Sequence, residues 1–142
     1  MLLVSMASTI LNPALALVCW TIVMWCWLYA TRIPAMKAIG LHRFKEKKDF
    51  EQLPQRVRWV ADNYNHLHEQ PVIFYALVFY CHLAGTADAL NITLAWAYVG
   101  FRVAHSVFQS LVNIIPVRFT IFALGTAALV GIATRCVVSA LG

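Results

Sequence analysis

Four apolar runs of roughly 20 residues or more follow one another along this 142-residue chain, over 10–33, 61–84, 92–112 and 117–141. A helix of about 20 residues reaches about 30 Å, the thickness of the hydrocarbon layer of a bilayer. Four such runs in one short chain leave little room for a water-soluble fold. Composition agrees: 61% of the residues are hydrophobic and 12% charged, with a mean hydropathy of +0.71, whereas a soluble domain carries about 25% charged residues. The expectation is one all-α integral membrane domain over residues 1–142.

The connections set the topology. Residues 40–58 form a long polar loop holding Arg43, Lys45, Lys47, Lys48, Arg56 and Arg58. The link at 85–91 is short, with Asp88 and no basic residue, and the link at 113–118 is short and carries Arg118. The positive-inside rule places the 40–58 loop in the cytoplasm and both termini on the opposite side. Short links make neighbouring helices antiparallel, so a four-transmembrane-helix up-down bundle, N-out and C-out, follows. The net charge of +5 is concentrated in that one loop. It therefore reads as membrane topology, not as a nucleic-acid surface. No Lys or Arg precedes Arg32, so the first run lacks the basic start of a cleaved leader and is expected to stay as a span. In the fourth run Ala123, Ala127 and Gly131 recur every four residues, a stripe that permits close helix contact.

Two of the runs carry polar residues at helical spacing. In the second, Arg58, Asp62, Asn65 and Glu69 are spaced 4-3-4, which puts them on one face of a continuous helix, with His68 beside them. Pro71 removes one backbone donor from that helix. In the third, Arg102, His105 and Gln109 are spaced 3 and 4, and Asn113 continues the line. An arginine at the midpoint of a span costs at least about 2.5–3.5 kcal/mol on insertion scales. Arg102 is therefore expected to face the bundle, with Glu69 or Asp62 as its partner. The stripes fit either a buried network that fixes helix register or a polar ligand pocket. Arg118 falls just inside the fourth helix, after Pro116 at its first turn. A cation there is disfavoured by the helix dipole, whereas an arginine beside free N–H groups makes an anion site. Snorkelling to phospholipid headgroups is the competing role, and Arg32 at the end of the first run invites the same two readings.

His66 and His68 point to different faces, and no third ligand stands at metal-binding spacing, so no metal is expected. The cysteines, Cys19, Cys26, Cys81 and Cys136, are scattered through apolar runs without a CxxC pair. They read as small apolar residues with no required disulfide.

Arg102-x-x-His105 followed by Arg118, the Asn65–acid–Pro71 pattern and the Thr31-Arg32 pair together resemble the MAPEG superfamily, the membrane-associated proteins of eicosanoid and glutathione metabolism. The resemblance covers nearly the whole chain. It implies a homotrimer of four-helix subunits, with glutathione bound between neighbours on the cytoplasmic side as co-substrate and no metal. By similarity, Arg118 would stabilise the glutathione thiolate. Arg32, Asn65, Glu69, Arg102, His105 and Gln109 would bind the peptide, and Arg58, Asp62 and His68 would support them. A lipophilic electrophile would arrive through the membrane lipid, and a bacterial-type member of the inner membrane is implied. The chain departs from the family pattern in two places. Glu69 falls one residue later than the usual Asn-x-x-Glu spacing, with His68 in that slot, and Gln109 stands where a Tyr is common. The expected function is a glutathione transferase or peroxidase. The alternatives are a non-enzymatic lipid- or anion-binding member of the same fold, and a small transporter using Glu69 and Arg102.

Overall fold

A computed structural model describes residues 9–142 of the chain. The segment 1–8, which the topology assigns with the C-terminus to the outer side, lies outside the described residues. The described chain is all-helical: α1 (Leu11–Ile39), α2 (Gln55–His66), α3 (Gln70–Leu83), α4 (Ala89–Leu111) and α5 (Ile115–Leu141), with 3-10 turns at Leu41–Arg43 and Lys47–Gln52. Helices α1 and α5 are each long and apolar enough to cross a membrane. Helix α4 is long enough, but its buried polar residues lower its hydropathy. Helices α2 and α3, with 12 and 14 residues, are each too short to span alone.

Local chemistry explains the ends. Helix α1 runs through Pro34 and past the expected boundary to Ile39, where Gly40 closes it at φ 109°, its N–H donating to the Met36 carbonyl at 2.9 Å. The positive φ favours glycine there, whereas the exposed His42 ring, 2.8 Å from where a Cβ would lie, could swing aside. Asp88 caps α4 by accepting the Asn91 N–H at 2.8 Å. Pro116 sits in the first turn of α5, as expected. Asn113 takes a left-handed conformation (φ 54°) and donates to the Phe108 carbonyl at 2.9 Å. It therefore ends α4 instead of extending its polar stripe.

The predicted loop at 40–58 is shorter than expected, because α2 begins at Gln55 behind Pro54. Its middle is ordered by Asp49, whose carboxylate accepts the backbone N–H groups of Glu46 and Lys45, each at 2.8 Å. Those bonds, Glu46 first, hold the Asp49 carboxyl below its ordinary range. The ordering they provide is complete above the unfolded carboxyl value of about 3.9 and is lost as pH falls through the lower folded value. Asp49→Ala is expected to raise limited proteolysis of this segment several-fold at neutral pH. Wild-type and variant should converge in acid, and equal neutral rates would show that the turn is held by other contacts.

The second predicted span, 61–84, is not one helix. It breaks at Leu67–Glu69, where His68 N–H reaches back only to the Asn65 carbonyl (2.9 Å) and Glu69 N–H to His66 (3.4 Å), and Glu69 adopts φ −95°, ψ −94°. Pro71 enters at the first turn of α3. Its missing N–H and ring disfavour a continuous helix through this point. The three-residue break resets the helical phase, so Glu69 no longer follows Arg58, Asp62 and Asn65.

The core lies where α1, α3, α4 and α5 meet. Phe74 of α3 stacks on Tyr98 of α4 with ring centroids 4.5 Å apart, both fully buried. Helices α4 and α5 pack most extensively: a Cβ at Gly125 would lie 3.3 Å from the Phe101 Cβ. The buried stripe of α5 is Gly125, Ala128, Leu129, Ile132 and Cys136. Of the predicted small-residue stripe, Ala123 and Ala127 are exposed and Gly131 alone meets a neighbour, Leu94. The contact surface is offset because Phe101 and Tyr98 need the space that only Gly125 leaves. Large apolar residues such as Leu15, Ile22, Val130 and Val138 point outward, as expected of helices solvated by lipid.

Candidate functional site

The polar residues of the sequence gather in two places. The first is an open cleft of about 730 Å³ between the end of α1, the 3-10 turn at Lys47–Gln52 and α2. Arg32, Lys47, Lys48 and Arg58 line it, opposed by Glu51 and Asp62, and Asn65 also faces it. Arg32 is held by its face: its Cζ lies 4.0 Å from the centroid of the Phe50 ring, a cation–π contact that fixes the guanidinium without using its donors. Among the described residues, neither Arg32 nor Arg58 has a carboxylate within ion-pair distance. Lys48 is already paired with Glu46 at 2.9 Å, so the cleft holds three cationic side chains without an ion-pair partner against two acids, with Tyr29 and Tyr64 as amphipathic walls. Its volume falls within the roughly 300–1,000 Å³ of small-molecule sites.

The second place is the buried contact between α2, α4 and α5. Arg102, His105, Ser106, Gln109 and Ser110 form one fully buried face of α4. Arg102, only 1% exposed, donates from Nη2 to the His66 carbonyl at 2.8 Å, and its Cζ lies 5.7 Å from the Phe122 ring centroid. The expected partners are therefore wrong. Asp62 and Glu69 are both exposed, and Glu69 pairs instead with His66 Nδ1 at 3.2 Å. The break after His66 supplies the physical reason. Where α2 stops, its last carbonyls lose their helical donors and carry the negative end of the helix dipole. A guanidinium docked there meets both needs without a carboxylate.

Around that bond the network is incomplete. Asn63 Nδ2 donates to Ser106 Oγ at 2.5 Å, but Asn63 Oδ1, Arg102 Nε and Nη1, His105 Nδ1, Gln109 Oε1 and Ser110 Oγ are buried without a hydrogen-bond partner within the chain. Buried polar groups are almost always satisfied, so this concentration of unmatched donors and acceptors marks the α2–α4 contact. His105 sits at its edge, with its ring centroid 6.1 Å from His66 and 5.9 Å from Phe122.

The sequence-derived residues therefore divide. Arg32, Arg58, Asp62 and Asn65 meet in the cleft. Arg102, His105 and Gln109 meet in the buried contact. His68 turns back to its own helix, with Nδ1 2.8 Å from the Tyr64 carbonyl. Arg118, half-buried at the start of α5, donates to Asn113 Oδ1 at 2.7 Å and does not line the cleft. Lys47 and Lys48 were legible only as loop charge, and Phe50 carried no signal. Asn63, Ser106 and Ser110 join the buried contact beside the predicted stripe. Ser106 and Ser110 follow His105 and Gln109 by one position, so a wider stripe would have included them. Among the described residues no cluster of His, Cys, Asp and Glu is arranged to hold a metal ion.

Searches of curated proteins and of solved structures find no significant match. A family model, that of the MAPEG family, matches residues 10–138, which is nearly the whole chain. With its apolar helices and its buried arginine and histidine, the chain belongs to the MAPEG family, membrane proteins of glutathione and eicosanoid metabolism.

Proposed function

We propose that this protein is a membrane-bound, glutathione-dependent transferase or peroxidase that activates the glutathione thiolate for attack on lipophilic electrophiles. The observation that carries the reading is the cleft, in which unpaired Arg32 and Arg58 and the lysines of the 3-10 turn face Glu51, Asp62 and Asn65. Glutathione presents two carboxylates, one ammonium group and two amides. A surplus of cations with a minority of acids and an amide side chain matches that set in sign. In this reading α1, the broken pair α2–α3, α4 and α5 form four spans, and the cleft lies on the cytoplasmic side of a bacterial inner membrane.

The chemistry asked of the protein is modest. A thiol that is mostly protonated at neutral pH must lose its proton, and a guanidinium beside the sulfur favours the anion. The thiolate then forms a carbon–sulfur bond with the electrophile as the carbon–leaving-group bond breaks and the leaving group departs with the electron pair. Proximity in a site open to lipid supplies the rest. Arg118 is the residue assigned to the thiolate. Because it lies outside the cleft of its own chain, the assignment requires a neighbouring copy in a homotrimer to bring Arg118 and the cleft together. Arg102, His105 and Gln109 stand behind the cleft in the α2–α4 contact, where their unmatched atoms are positioned to support the ligand-binding face.

Isothermal calorimetry with glutathione in detergent tests the reading. Binding is expected, weakening with salt, and Arg58→Gln is expected to reduce affinity about tenfold, the loss of one charge-assisted hydrogen bond of roughly 1.5 kcal/mol. Absence of heat in the wild type would overturn the assignment. Heat without thiolate absorbance would leave a binding protein that does no chemistry.

A further inference from the structure

The four cysteines, unremarkable in the sequence, are not equivalent in the fold. Cys19 and Cys26 are exposed on α1, whereas Cys81 near the end of α3 and Cys136 near the end of α5 are buried with their sulfurs 3.2 Å apart. They are separated by 55 positions in the chain, so only tertiary packing brings them together. The turn between α3 and α4 fixes both. Thr86 N–H donates to the Cys81 carbonyl at 3.0 Å, Asn91 Nδ2 donates to the Thr86 carbonyl at 2.7 Å, and Arg135 Nε donates to Asn91 Oδ1 at 2.8 Å. Arg135, the residue before Cys136, also forms an ion pair with Asp88. A closed ring of contacts therefore runs from one cysteine to the other. A disulfide needs its sulfurs at about 2.0 Å, so an approach of about 1 Å between two packed helices completes the bond.

We propose that Cys81 and Cys136 are a redox pair, which a lipid-soluble hydroperoxide converts to an intrachain disulfide that staples α3 to α5. The sulfur of the first thiol attacks the peroxide and becomes a sulfenic acid, and its proton passes to the departing peroxide oxygen, which leaves as an alcohol. The second thiol then attacks the sulfenic sulfur, the sulfur–sulfur bond forms and water leaves. Two thiols and one hydroperoxide give one disulfide, one alcohol and one water, with two electrons passing from sulfur to the peroxide oxygens. Both thiols belong to the buried hydrophobic core, which favours an apolar oxidant over one dissolved in water. The resolving thiol already touches the first, which favours ring closure over further oxidation. The exposed Cys19 and Cys26 have no such partner among the described residues.

The test uses the full chain in detergent on a Cys19→Ser/Cys26→Ser background, treated with cumene hydroperoxide, denatured and alkylated with N-ethylmaleimide. The expected product is two hydrogens lighter and takes no adduct, and dithiothreitol restores both alkylation sites. The oxidised form should also melt several degrees higher than the reduced form. Cys136→Ser and Cys81→Ala on the same background should each abolish the mass loss and the stabilisation. Retention of both free thiols, addition of oxygen without loss of hydrogen, or dimers linked through Cys81 or Cys136 would each overturn the proposal. None of these outcomes depends on glutathione binding, so the proposal stands or falls separately from the enzymatic one.

Discussion

Arg118→Ala is expected to abolish formation of the glutathione thiolate and to lower the rate of conjugation of a chloro-nitrobenzene by on the order of 10²–10³, the usual cost of removing one preorganised group from developing negative charge. The assembly and the thermal midpoint should change little. In the folded chain Arg118 makes one side-chain hydrogen bond, to Asn113 Oδ1 at 2.7 Å, and Asn113 retains its own backbone bond to Phe108. Two readouts separate a chemical role from a structural one: the ultraviolet absorbance of the bound thiolate and the pH profile of the rate. Without the guanidinium the apparent pKa of the bound thiol should rise towards that of a free thiol, about 8.5, so the variant should recover activity in alkali. Equal rates and equal absorbance in wild type and variant would remove Arg118 from the mechanism. Arg118→Lys is an informative companion. It keeps the charge but loses the planar fork, and partial recovery would assign the effect to charge alone.

Arg102→Leu is expected to be the most destabilising single change in the buried contact, at about 2–3 kcal/mol. Two effects oppose each other. Removing a buried cation relieves its desolvation, which by itself stabilises. Against this, the His66 carbonyl loses its charge-assisted donor and keeps only the long bond from the Glu69 N–H at 3.4 Å, and leucine cannot fill the space between His66 and Phe122. Leaving one partner of a buried pair unmatched is the more costly arrangement, so destabilisation should win. The fall in thermal midpoint should be several degrees. Arg102→Lys should recover part of it, because an ammonium group can reach one carbonyl but does not fill the space of the planar guanidinium. A midpoint unchanged in both variants would mean that the break after His66 holds without the guanidinium. The loss is expected at the α2 terminus and not from stranded acids, because Asp62 and Glu69 are already exposed to solvent.

One helix end was legible: Pro116 marks the first turn of α5, as the sequence reads it. Asp88 caps α4 through its side chain, and α1 runs six residues past its expected end at 33 before Gly40 closes it, because the last turns of α1 lie in polar surroundings that an apolar run does not mark. The pairing of polar groups was legible only while the helix was continuous. Arg58, Asp62 and Asn65 lie within one uninterrupted helix, and they remain together at the cleft. Glu69 lies beyond a three-residue break, which rotates it away, and Arg102 then binds a carbonyl that has no signature in the amino-acid code. Lys47, Lys48 and Phe50 enter the cleft because a 3-10 turn folds over α1, a placement that loop composition does not encode.

The sequence by itself determined the class of the molecule: apolar runs demanding helices, a basic loop after the first, and arginine and histidine placed where lipid would be a poor neighbour. Tertiary structure alone decided what those polar groups meet. Arg102 meets the carbonyl end of α2, Arg118 meets Asn113 outside the cleft, and Cys81 meets Cys136. The reason is one of range. Turns, caps and helical faces are fixed by interactions within about four residues, whereas these partners depend on how one break in α2–α3 and one glycine at the α4–α5 contact set the rotation of whole helices.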